Sequence, residues 1–76
     1  MTPAQFRAAW EASGLSQADF ALALGYQSDN RDRLRTQVND MVNGRKPISP
    51  QVGRLAEMFR RHGVPADFRP AIGGRV

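Results

Sequence analysis

The apolar positions fall into four blocks, each bracketed by residues that start and stop helices. In the first block Phe6, Ala9, Trp10 and Ser13 share one side of a helix. Thr2-Pro3-Ala4-Gln5 opens it. Thr2 supplies a cap, Pro3 suits the first helical position, and Gln5 stands where a capping box needs its Gln or Glu. Gly14 suits a left-handed C-terminal cap. The second block opens with Ser16-Gln17-Ala18-Asp19, capping-box-like with Asp19 in the Glu or Gln position. Phe20 to Leu24 are all apolar, so this helix is expected to be buried on most sides before Gly25 ends it. Ala18, Ala21 and Ala23 permit close approach by another helix.

In the third block Leu34, Val38, Met41 and Val42 recur at helical spacing. Asp29 is the expected N-cap, with Ser28 the alternative, and the helix should run to Val42 or Asn43 before Gly44. Arg45 to Ile48 is expected to be a loop, because Pro47 disfavours a helical residue before it. Ser49-Pro50 opens the fourth helix, with Val52, Leu55, Ala56 and Phe59 as its buried stripe and Gly63 as its stop. Arg60, Arg61 and His62 occupy the last turn, where positive charge suits the negative helix end. The pattern predicts an all-α fold, a small four-helix bundle over residues 1–63. A tail over residues 64–76 is expected to be irregular or packed on the bundle, with Val64, Phe68 or Ile72 folded back.

Composition narrows the chemistry. A chain of 76 residues is one domain, near the lower size limit for an unassisted core. There is no cysteine, and His62 is the only histidine, which removes disulfides, thiolate metal sites and the common catalytic dyads. Asp19, Glu57 and His62 are scattered without a nucleophile, base and orienter in register, so no enzyme, cofactor or metal site is expected. The formal net charge is +4 and ten of the eleven basic residues are arginine, which favours an anionic partner met by bidentate contacts. No apolar run is long enough to span a membrane, and the first residues lack a signal-peptide pattern, so the expected location is cytoplasmic.

The outer face of the third helix carries Arg33, Arg35, Thr36, Asn39 and Asn43, and Arg45 and Lys46 follow at once. Arginine and asparagine have the forked geometry that suits guanine and adenine edges. Periodicity alone favours an ordinary solvated helix face; the rest of the chain shifts the balance. Gly14 to Gly25, GLSQADFALALG, resembles the first part of the phage-repressor-like (XRE or Cro-type) helix-turn-helix domain. Met41-Val42-Asn43-Gly44-Arg45-Lys46 resembles that family's Ile-Glu-Asn-Gly-Lys segment, and Ile48 to Phe59 resembles its following helix. The resemblance covers roughly residues 6–59.

The resemblance implies a repressor-like helix-turn-helix bundle that binds double-stranded DNA as a homodimer and regulates transcription, as a repressor acting by operator occupancy. Counted back from Gly44, Arg35, Thr36 and Asn39 match the family's base-reading positions, with Arg33 beside them. Gln17 falls where the family often anchors a phosphate. Arg31, Gln37, Asn43, Arg45 and Lys46 complete the expected phosphate set. The dimer contact is expected on the fourth helix or the tail.

Two departures from the family pattern stand out. Residues around Gln27 to Arg33 are extra, and either lengthen the recognition helix or enlarge the turn. The family's polar pair, an Arg of its first helix with the Glu before Asn-Gly, corresponds to Trp10 and Val42, so Trp10 is expected to pack near Val42. Asp32 and Asp40 on the outer face would repel phosphate unless paired, and they favour the alternative of a protein-interaction module, such as an antitoxin-like partner that has kept the fold.

Overall fold

The structure, a computed structural model, describes residues 1–68. It is all-α: α1 (Pro3–Ser13), α2 (Gln17–Ala23), α3 (Arg31–Val42) and α4 (Pro50–His62), then one short 3₁₀ turn at Ala66–Phe68. No strand occurs among the described residues.

The helix starts follow from their caps. Thr2 and Gln5 form a reciprocal capping box, with Pro3 in the first helical position. Gly14 closes α1 at φ 73°, a left-handed conformation that a side chain would strain. Ser16 caps α2 by accepting from the Asp19 amide, and Ser49 caps α4 by accepting from the Val52 amide. The α3 start differs from the sequence expectation. Its N-cap is Asn30, not Asp29: Asn30 Oδ1 accepts from the Asp32 amide at 2.8 Å. Asparagine caps as well as aspartate, so composition could not separate these neighbours. Ser28, the alternative cap, instead accepts from the Asn30 amide at 3.0 Å and so shapes the turn before the cap. The extra segment is therefore divided: residues 27–30 enlarge the turn, and residues 31–33 form the first turn of α3.

The core draws on every helix. Phe6 and Ala9 of α1, Phe20 and Ala21 of α2, Leu34, Val38 and Met41 of α3, and Ala56 and Phe59 of α4 are all buried. A run of edge-to-face rings ties three of these helices to the tail: Phe6 to Phe20 at 5.7 Å between centroids, Phe20 to Phe59 at 6.1 Å, and Phe59 to Phe68 at 5.8 Å. Val64 is buried, and Phe68 meets the Phe59 ring while staying 46% exposed; Ile72, the third tail residue named as folding back, lies outside the described residues. Trp10 packs against the core that contains Val42, and its indole N–H donates to the Leu15 carbonyl at 2.8 Å. That bond anchors the link between α1 and α2.

Two pairings set the architecture. α3 packs chiefly on α2, and α4 packs on α1. Gly53, which the sequence did not single out, is buried on α4; a Cβ there would stand 3.3 Å from Met1 Cβ and 3.7 Å from Ile48 Cγ2. Its lack of a side chain lets the first residue and the loop before α4 close over the helix.

Candidate nucleic-acid interface

α3 buries Leu34, Val38, Met41 and Val42 and turns its remaining positions outward. This division groups Arg35, Thr36, Asn39 and Asn43 on one side of the exposed arc, whereas Arg33, two positions before Arg35, lies at the other edge of that arc beside Thr36 and Gln37. Arg33 and Arg35 are exposed, and neither side chain has a protein partner among the described residues. Arg35 and Asn39 are one turn apart and hence neighbours along that surface. Thr36 is exposed, but its hydroxyl donates to the Asp32 carbonyl at 2.7 Å. Its methyl and its oxygen lone pairs are what remain for a ligand.

Asn39 is half-buried, and its Oδ1 accepts a long 3.5 Å bond from Gln17 Nε2. Gln17 occupies the first position of α2, so this contact couples the start of α2 to the middle of the α3 outer face. The Asn39 amide nitrogen remains free to donate. Asn43 is exposed and donates its Nδ2 to the Asn39 carbonyl at 2.9 Å, which closes the end of α3 and leaves its Oδ1 outward as an acceptor.

The basic residues around α3 divide by how firmly the protein holds them. Arg31 reaches across to α2, where its Nη2 donates to Asp19 Oδ1 at 2.9 Å. The Asp19 side chain is only 10% exposed, while that of Arg31 is 62% exposed. A nearly buried carboxylate needs such a partner, so Arg31 is first of all a brace between the two helices. The sequence placed it in the phosphate set; its outer edge is still open to solvent. Arg45 pairs with Asp40 at 3.5 Å, and the Asp40 carbonyl accepts from the Arg45 and Lys46 amides at 2.8 and 3.3 Å. Asp40 is thereby neutralised, whereas Asp32 has no ion-pair partner among the described residues.

Lys46 donates its Nζ to Gln37 Oε1 and stands 5.1 Å from the centroid of the Tyr26 ring. It closes the loop after α3 against the turn after α2. Gln37, half-buried beneath it, keeps its amide nitrogen for a ligand. The sequence missed Tyr26 in this cluster and the Asp19–Arg31 brace. Both are contacts between elements, and hydrophobic periodicity carries no signal for either.

The expected residues therefore gather on two adjoining strips. One is the outer face of α3, with Arg35, Thr36 and Asn39 and with Arg33 at its far edge. The other is its border, with Gln17, Arg31, Gln37, Asn43, Arg45 and Lys46. Chemically, the face offers forked donors and the border offers cations and amides. Among the described residues no helix is long and apolar enough to cross a membrane. No family model matches this sequence, and no curated protein or solved structure matches it either.

Proposed function

We propose that this chain is a sequence-specific, double-stranded DNA-binding transcriptional regulator of the phage-repressor-like helix-turn-helix type. It acts as a cytoplasmic repressor by occupying its operator as a homodimer. The observation that carries this reading is Arg35, exposed and unpartnered within the described residues, beside Asn39 on the outer face of a helix whose other side is locked into the core, with Arg33, likewise exposed and unpartnered within the described residues, at the other edge of that face. A cation left without a protein partner is available to a ligand, and arginine beside asparagine suits the major-groove edges of guanine and adenine. The motif resemblance around Gly14 to Gly25 and Met41 to Lys46 supports the same reading, as does the formal charge of +4.

In this account Arg35, Asn39, Thr36 and Arg33 meet base edges. Gln17, Gln37, Asn43, Arg45 and Lys46 follow the backbone, with the outer edge of Arg31 beside them. Phosphate contacts fix register and orientation, and base contacts carry the sequence preference. Two copies double the reading surface at a fixed spacing. Phe68, apolar and half in solvent beside Phe59, offers a tail-side contact for such a pair. No catalytic group takes part.

A second reading, a protein-interaction module such as an antitoxin-like partner, is favoured by Asp32. It is exposed on the α3 face without an ion-pair partner among the described residues and would oppose a phosphate. Enrichment from a pool of random duplexes separates the two. A regulator enriches a defined motif and binds it with an affinity that falls steeply as salt rises, because phosphate contacts release counterions. An interaction module enriches nothing, and its residual DNA binding is indifferent to sequence.

A further inference from the structure

α1 and α4 enclose an open groove of about 1090 Å³, and none of its lining residues comes from α2 or α3. Its lining includes the apolar side chains of Met1, Ala8 and Met58. Met58 is 58% exposed, the most exposed of the large apolar residues among those described. Its rim is basic. Arg54 has no side-chain partner among the described residues, and Arg60 and Arg61 share the single carboxylate of Glu57. Three arginines thus face one acid, with His62 at the end of the same helix. Arg54, Glu57, Met58 and Arg61 follow one another at helical spacing, so they form a stripe along the outer side of α4.

We propose that this groove docks an acidic amphipathic helix of a partner protein. The partner's apolar residues, spaced one turn apart, would lie on Met58, Met1 and Ala8, and its flanking Asp and Glu would meet Arg54 and Arg61. Methionine adapts its shape to varied apolar side chains, which suits a helix-binding groove. A second copy of this chain is the poorer occupant, because it would bring three more arginines and one acid to a groove that already holds three arginines and one acid. Single-stranded nucleic acid is also disfavoured, because the groove offers methionine and alanine where bases would need rings to stack on. The groove and the α3 face draw on different helices, so one chain has room for both partners.

The test is an NMR titration of the full chain, following backbone amides and methionine methyls. The probe is a synthetic helical peptide of about four turns, with leucine one turn apart and glutamate on the flanks. Two controls accompany it: the same peptide with lysine replacing glutamate, and the same composition in scrambled order. The expected result is saturable movement of the Met58 and Met1 methyls and of the Arg54 and Arg61 amides, with both controls at least about tenfold weaker. Met58→Ser and Arg54→Glu, both at exposed positions, should each weaken the acidic peptide about tenfold and leave distant signals in place. Absence of saturable shifts, equal response to a control, or shifts centred on Arg33 and Arg35 would overturn the proposal. So would groove signals that move with protein concentration alone, which would make the face a self-contact. Stronger groove shifts from duplex DNA or single-stranded RNA than from the peptide would assign it to nucleic acid instead.

Discussion

The outer faces of α3 and α4 both carry arginine, and they use it differently. On α4, Glu57 accepts from Arg60 at 2.9 and 2.6 Å and from Arg61 at 2.8 Å, all within one helix. These hydrogen bonds, first Arg60 and then Arg61, hold the Glu57 carboxyl at about 2, well below the ordinary value, and raise Arg60 in turn. On α3, Arg33 and Arg35 have no such acid, and the nearest carboxylates are either spent elsewhere or left unpaired. α4 also exposes Met58, whereas the large apolar residues of α3 are all buried. Net charge cannot distinguish these faces. Local pairing and exposed apolar surface do, and they point to a polar, anionic ligand for α3 and a mixed one for α4.

The comparison rests on a shared core, and breaking that core should abolish both faces. Phe20 is fully buried and meets rings from α1 and α4. Phe20→Ala is expected to cost roughly 3–5 kcal/mol in chemical denaturation, which in so small a domain approaches complete unfolding. A near-normal denaturation midpoint would mean that the aromatic run does not hold the helices together.

Arg35→Ala separates the faces more finely. It should leave folding within about 0.5 kcal/mol, as an exposed substitution does, yet cost about 1–3 kcal/mol of binding to the selected duplex and relax preference at one base. Uniform weakening across all single-base variants would move the reading role to Arg33. Arg31 is the poorer substitute, because its guanidinium is braced on Asp19.

Asp19→Asn tests that brace. Removing the charge while keeping an acceptor should cost about 1 kcal/mol of stability, visible as a lower denaturation midpoint. The unchanged midpoint of an idle surface pair would demote it. For Lys46→Ala the expected change is smaller still in stability. It should weaken every duplex alike and reduce the salt slope by about one phosphate contact.

The smallest effect belongs to Glu57. Its folded value of about 2 lies below the ordinary 4.5, so its contribution to stability is complete above about pH 5 and is lost as pH falls toward 2. The pair is exposed, so the loss should be slight. A side-chain carboxyl titration by NMR with its midpoint near the ordinary value would break this half of the comparison.

Much of the fold was legible in the sequence because its signals are local. Thr2, Ser16 and Ser49 announce helix starts, Gly14 announces a stop, and the apolar spacing assigns Phe6, Phe20, Leu34, Val38 and Phe59 to the core. Asn30 was missed as the cap because Asp29 beside it carries the same chemistry. Gly53 was missed because its role depends on Met1 and Ile48, which no periodicity brings together. The candidate site divides the same way. The outward position of Arg35 and Asn39 follows from helix geometry, whereas the Asp19–Arg31 and Lys46–Gln37–Tyr26 contacts depend on how α2 and α3 pack.

The measurement that bears most directly on the central claim is an amide NMR map of the full chain with its selected duplex. The account expects the largest shifts at Arg33, Arg35, Thr36 and Asn39, a border of smaller shifts at Gln17, Asn43, Arg45 and Lys46, and little change at Arg54 and Met58. Shifts centred on the α1–α4 groove, or spread evenly over every arginine, would contradict it.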